Sequence, residues 1–143
     1  MDTNLHLVFP GTCREAFAFY EKTFNSKISM TMTFGDAPAG SPVPPDSKDL
    51  VMHTSMPVGS ILLMGCDAPP GREQKLGGFQ ISVSMPDEAE VKRIYAALSE
   101  GGSIQMPLSP TFWSPLFGMC TDKFGVGWMV SIPGPQPTPK LAG

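Results

Sequence analysis

His6 and His53 are the two histidines of this 143-residue chain. Imidazole exchanges its proton near neutral pH, so each is a candidate general base. The competing reading is a hydrogen-bonded structural histidine, because His53 lies in the strand-like run Val51-Met52-His53-Thr54-Ser55 and His6 in Leu5-His6-Leu7-Val8-Phe9. No Ser, His, Asp order with motif context accompanies them. There is neither a GxGxxG nor a GxxxxGK phosphate loop, so nucleotide chemistry is not indicated. Cys13, Cys66 and Cys120 are too widely spaced for a CxxC metal knuckle or a disulfide framework, and their apolar settings read as small buried hydrophobes. Cys13 is the exception, because it opens a helix and a helix N-terminus lowers a thiol pKa.

Binding chemistry has other candidates. Thr111-Phe112-Trp113-Ser114-Pro115-Leu116-Phe117 sets three aromatics in a Pro-flanked loop, where they can stack on a planar or apolar ligand. Trp113 is the residue selected for such a contact; Phe112 and Phe117 stand open between that role and a place in the core or an interface. Met52, Met64, Met119 and Met129 offer a soft lining or ordinary core filling. Asp67, just past a strand end, reads as a turn residue rather than an acid catalyst.

The elements that position these residues are written twice. Thr12-Cys13-Arg14-Glu15 and Asp87-Glu88-Ala89-Glu90 each offer an N-cap residue with a Glu three places on, and each follows a short apolar strand. Helix one runs from about Thr12 to Phe24 with Ala16, Phe17, Tyr20 and Phe24 on its inner stripe. Helix two carries Val91, Ile94, Tyr95 and Leu98 inward and stops at Gly101-Gly102. Ile28 to Phe34 alternates apolar and hydroxyl residues, which turns Ser29, Thr31 and Thr33 toward a cleft. Residues 35 to 49, rich in Pro, Gly, Ser and Asp, read as a long mobile loop with the makings of a lid. A hairpin about Pro57-Val58-Gly59 closes the first unit, and strands near Ser103 to Met106, Leu116 to Thr121 and Gly127 to Ile132 complete the second. Residues 135–143 read as a Pro-rich disordered tail.

Composition bounds the function. With 41% hydrophobic residues the chain can bury a core, and a net charge of -3 with both signs interspersed gives no electrostatic footprint for nucleic acid or an anionic membrane. No apolar run approaches the roughly 20 residues of a membrane helix. Met1-Asp2-Thr3-Asn4 lacks the design of a signal peptide, so a cytoplasmic location is the expectation.

Residues 4 to 132 resemble the PhnB-like branch of the vicinal oxygen chelate superfamily, which includes glyoxalase I, bleomycin-resistance proteins and extradiol dioxygenases. The resemblance rests on Glu15-Ala16-Phe17-Ala18-Phe19-Tyr20, His53, Met64-Gly65-Cys66-Asp67, Thr111-Phe112-Trp113, and above all Phe117 to Trp128 with its Asp-x-x-Gly turn before a Trp-bearing last strand. It implies an α+β fold of two βαβββ modules, about 4–66 and 79–132, within a single domain 1–134. The modules curl an eight-stranded mixed sheet around a central cleft with helices on the outside, usually as a homodimer.

The resemblance also implies where a metal would be held. In metal-dependent relatives the first strand of each module supplies His or Gln and the last strand Glu, donors that leave positions open for substrate oxygens. Apolar parity sends Leu5, Leu7 and Phe9 to the helix and His6 to the cleft; it likewise sends Phe79, Ile81 and Val83 inward and Gln80 to the cleft. Counting on from Gly125 puts Met129 at one carboxylate position, and Leu62 or Met64 falls at the other. No Asp or Glu occurs after Asp122. The expectation is therefore a metal-free small-molecule-binding protein with His6, His53, Met64, Gln80, Trp113, Phe117 and Met129 in its site. The alternative is a metal-dependent enzyme of the glyoxalase, lyase or dioxygenase type, holding Zn, Ni, Mn or Fe on His6 and Gln80.

Overall fold

A computed structural model describes residues 1–135; of the Pro-rich tail expected over 135–143, all but Pro135 lies outside the described residues. The chain divides into two compact units, Met1–Leu76 and a second that begins at Gly77. Among the described residues each carries one α-helix and one four-stranded mixed sheet, so the eight strands fall into two sheets with the same βαβββ order.

In the first module, β1 (Leu5–Phe9), α1 (Cys13–Phe24), β2 (Met30–Thr33), β3 (Val51–Val58) and β4 (Ile61–Asp67) give the sheet order β1-β4-β3-β2. β1 runs parallel to β4, and β3 is antiparallel to both β4 and β2. Leu7 and Phe9 of β1, Leu63 and Gly65 of β4, and Ala16, Phe17 and Tyr20 of α1 are buried together as the core. Such large apolar side chains each contribute about 1.5–3 kcal/mol when fully buried. At Gly65 the helix comes so close that an added Cβ would lie 2.5 Å from Phe17 Cε2 and 3.2 Å from Cys13 Sγ.

Four local expectations are corrected by the structure. Thr12 precedes α1 but its side chain makes no capping bond; Asp67, 54 residues on, accepts from the Cys13 amide at 2.9 Å and also from the Val51 amide at 2.9 Å. Asp67 is thus no turn residue but a buried carboxylate tying α1 to the start of β3. The faces of β2 are reversed: Thr31 Oγ1 meets Thr54 Oγ1 at 2.9 Å, and Thr54 pairs with Gly65 on the α1 side, so Met30 and Met32 occupy the face away from α1. Cys13 is buried, and desolvation, then the Asp67 carboxylate, push its thiol pKa far above the usual value, so it is no activated nucleophile. The expected lid loop is closed at its base, where Phe34 N–H donates to Leu50 O and Gly35 N–H to Lys48 O, with Ser47 buried between.

The second module repeats the plan with β5 (Ile81–Ser84), α2 (Glu88–Ser99), β6 (Ser103–Ser109), β7 (Phe117–Thr121) and β8 (Gly127–Ser131), in the order β5-β8-β7-β6. Here the predicted cap forms: the Asp87 carboxylate accepts from the Ala89 and Glu90 amides. Gly101, at φ 75°, turns the chain out of the helix as expected. Trp128, Val130, Ile81 and Cys120 meet Val91, Ile94, Tyr95 and Leu98 in the core. The Asp-x-x-Gly turn is held by Asp122, whose Oδ1 accepts from the Phe124 and Val126 amides and whose Oδ2 accepts from Trp128 Nε1. Among the described residues no helix is long and apolar enough to cross a membrane.

Candidate functional site

Each sheet has one face against its helix and one face away from it, and the period of two sorts the predicted site residues between them. In the first module, His6, Met64, Ser55 and Met30 form one row across β1, β4, β3 and β2 on the face away from α1. His53 and Met32 pair in the adjoining row. The two imidazole rings reach toward each other across β4, with centroids 6.0 Å apart and planes inclined by 24°. His6, His53 and Met64 are therefore brought together. Partial desolvation, and secondarily His53, lower the His6 pKa from its ordinary value, which favours the neutral ring. Cys66 follows on the same face, and burial, then the neighbouring Asp67, raise its thiol pKa.

In the second module, Gln80 immediately precedes β5 and lines a shallow pocket of about 400 Å³ with Gly78, Phe79 and Met129. Its side chain lies against Gly127, where an added Cβ would come within 3.1 Å of Gln80 Cγ. Phe79, expected to turn toward α2, is instead 37% exposed at this pocket, because β5 begins only at Ile81. Met129 sits between Met119 of β7 and Ser82 of β5. The repeat makes that pairing informative. His6 is opposite Met64 in the first module and Ser82 is opposite Met129 in the second, while Gln80 lines the pocket beside Met129. The signal for Ser82 was present, since Ser82 and Gln80 share the same parity.

Trp113 and Phe117 are also together, with ring centroids 5.3 Å apart in an edge-on arrangement. Trp113 is 45% exposed and covers Phe117, which is buried at the start of β7. Phe112 is 96% exposed and packs edge-on against Trp113 at 4.7 Å, so the core place left open for it is not the one it takes.

The donors available on these faces are neutral. The face away from α1 carries His6, Val8, Met30, Met32, His53, Ser55, Leu62, Met64 and Cys66. The strands of the second module turn Ser82, Ser84, Phe117, Met119, Thr121, Met129 and Ser131 away from α2. Ser55, which sequence reasoning missed, is 5% exposed and stands in the His6 row. Among the described residues, no group of three His, Cys, Asp or Glu side chains is gathered to hold a metal ion.

Comparison with known proteins gives a consistent context. Residues 5–130 match the model of the Glyoxalase/Bleomycin resistance protein/Dioxygenase superfamily. Protein YjdN of Escherichia coli (strain K12) is 30% identical over 149 residues, covering 96% of this chain and 99% of YjdN. The crystal structure of protein PA1353 from Pseudomonas aeruginosa is 43% identical, covers 93% of this chain and 98% of that one, and superposes with a TM-score of 0.84. The Bacillus cereus PhnB protein, described as a putative 3-demethylubiquinone-9 3-methyltransferase, shares the fold at 24% identity over 92% of this chain and 99% of its own, with a TM-score of 0.77. Two βαβββ modules of identical strand order, the Asp122-anchored turn into Trp128 and these matches along nearly the whole chain lead to one conclusion: the chain belongs to the Glyoxalase/Bleomycin resistance protein/Dioxygenase superfamily.

Proposed function

We propose that this chain binds a small organic molecule through the sheet faces turned away from its helices, and that it does so without a resident divalent metal. The observation that carries the reading is the register. The side chains opposite His6 and Ser82 are Met64 and Met129, thioethers where the superfamily's metal-dependent members carry carboxylates. A hard or borderline divalent ion fits neither module's donors, because two imidazoles in the first, or the Ser82 hydroxyl in the second, leave its charge uncompensated. Asp67 and Asp122, the acids nearest in sequence, are committed to backbone amides and to the Trp128 indole. Thioethers, a half-exposed Trp113 and neutral hydrogen-bonding groups suit an organic ligand instead. A methyltransferase reading finds no support in the first strand, which leads into Phe9-Pro10-Gly11-Thr12 and no Rossmann-like glycine motif.

One observation favours a second reading, a metal-dependent enzyme: the two imidazoles on one face, 6.0 Å apart, are the pair from which a nitrogen-rich site would be built. Elemental analysis of protein purified without chelators separates the two. We expect well under a tenth of an equivalent of Zn, Ni, Mn or Fe, and near-stoichiometric occupancy by any of them would replace the binding reading by the enzymatic one. The homodimer implied by the family belongs to the same proposal and is read out by light scattering.

A further inference from the structure

We infer that the loop of residues 35–49 and the connector that follows β4 form a separate ligand site in the first unit, one that takes an aromatic carboxylate, with its ring on proline side chains and its carboxylate on the Arg72 guanidinium. The two segments border a pocket of about 420 Å³, with Pro42, Val43, Pro44 and Pro45 on one wall and Pro69, Pro70 and Arg72 on the other. That volume falls within the roughly 300–1,000 Å³ of small-molecule sites. None of these residues belongs to the sheet faces described above, so the inference goes beyond the proposed function. Both walls are fastened. On the first, Ser41 N–H donates to Pro38 O at 3.0 Å in a turn that ends just before Pro42, and the fully buried Ser47 donates its hydroxyl to Pro45 O at 3.3 Å. On the second, the buried Ala68 donates its amide to Phe9 O of β1 at 2.7 Å, and Arg72 N–H closes a turn onto Pro69 O at 3.0 Å. Gly71, at φ 84°, follows Pro70 in that turn and takes the left-handed position that a type II turn requires.

The lining states what can bind. Five of its seven residues are proline, whose locked φ holds the walls in shape before a ligand arrives and so lowers the entropy lost on binding. Pyrrolidine rings pack well on aromatic faces, the contact by which aromatic grooves recognise proline-rich peptides; here the protein supplies the proline side. Arg72 is the charged member of the lining, and among the described residues its guanidinium makes no ion pair, side-chain hydrogen bond or ring contact. Its planar fork matches a carboxylate bidentately and stacks on an aromatic ring as well. No acid lines the pocket to repel an anion or to attract a cation. A neutral ring would leave the fork to water, and an acid without a ring would leave the prolines and Val43, which is 39% exposed, uncovered.

Benzoate, benzyl alcohol and acetate separate the two contacts, each titrated into the full chain with methyl-labelled valine and followed by NMR. Benzoate should move the Val43 methyl signals and bind at least tenfold more tightly than either benzyl alcohol or acetate. Arg72→Gln should bring benzoate down to the benzyl alcohol level in a protein whose unfolding temperature matches that of the parent. Arg72→Lys, which keeps the charge but loses the fork, should recover only part of the difference. Added salt should weaken benzoate and leave benzyl alcohol unchanged, because the ion pair is formed at the surface. Acetate binding as tightly as benzoate overturns the ring contact, and an unchanged benzoate affinity in Arg72→Gln overturns the role of the guanidinium. If benzoate leaves the Val43 methyl signals in place, the pocket is not its site and the inference falls.

Discussion

Replacing Asp67 by Asn should cost more stability than any single helix cap, because one carboxylate organises two distant pieces of backbone. Asp67 is 3% exposed, and its two oxygens each accept one amide, from Cys13 at the start of α1 and from Val51 at the start of β3, both at 2.9 Å. Asn preserves the shape and one acceptor but turns an NH₂ group onto the other amide, leaving two donors facing each other in a buried place. A hydrogen bond to a charged group is worth about 1.5–3 kcal/mol, and an orphaned buried donor adds its own penalty, so the loss should be about 2–4 kcal/mol. For a chain of this size that is roughly 6–12 °C in unfolding temperature. Asp87→Ala is the internal control, since Asp87 caps the exposed start of α2 with a loss of about 1 kcal/mol expected. Thermal and urea unfolding followed by circular dichroism measure both variants. If Asp67→Asn is no more destabilising than Asp87→Ala, the double tie does not hold the first module together and the account of its folding is wrong.

Gly65→Ala should destabilise by about 1–3 kcal/mol through overpacking, since its new methyl would meet the Phe17 ring at 2.5 Å; the same substitution combined with Phe17→Leu should lose less than the sum of the two, and strict additivity in a double-mutant cycle refutes the contact. His6 predicts a pH dependence: desolvation, then His53, hold its pKa below the ordinary 6.5, so the unfolded chain takes up this proton at a higher pH than the folded one. The stability associated with the neutral ring is therefore complete above about pH 6.5 and falls away as the pH drops from there toward the folded value. His6→Gln should flatten that acid-side decline in unfolding temperature, and parallel curves for the two proteins would count against it.

The repeat was legible because each helix stripe and most strands alternate cleanly, and Asp87 caps its own helix from the adjacent position. Thr12 looked equivalent, but a carboxylate 54 residues beyond Cys13 took its task, and no local window contains that contact. β2 was misread for a different reason. As the edge strand of its sheet it leaves Met30 41% exposed, so apolarity no longer labels the core side, and the irregularity between Met32 and Thr33 obscures the parity further. For Cys13 the helix-terminus rule gave the wrong sign, because complete burial beside Asp67 outweighs it. Within the candidate site, strand parity was enough to put His6 and Met64 on one face. That Ser82 is the residue opposite Met129 needed the pairing with β8, a long-range register that the sequence does not print.

The position of the acids follows from the same geometry. Asp67 and Asp122 each stand at the end of a strand, one residue beyond a side chain on the open face, Cys66 in β4 and Thr121 in β7. Because successive residues alternate, both carboxylates turn to the helix side, where buried amides and the Trp128 indole use them. Carrying either acid to the other face would take a one-residue slip that also exposes Leu63 and Gly65, or Gly118 and Cys120, in place of the residues now outside. The fold therefore cannot borrow these carboxylates for a ligand site without dismantling a core. An acidic pair opposite His6 and Ser82 would have to arise by substitution at Met64 and Met129 themselves, where the strands now place polarisable thioethers.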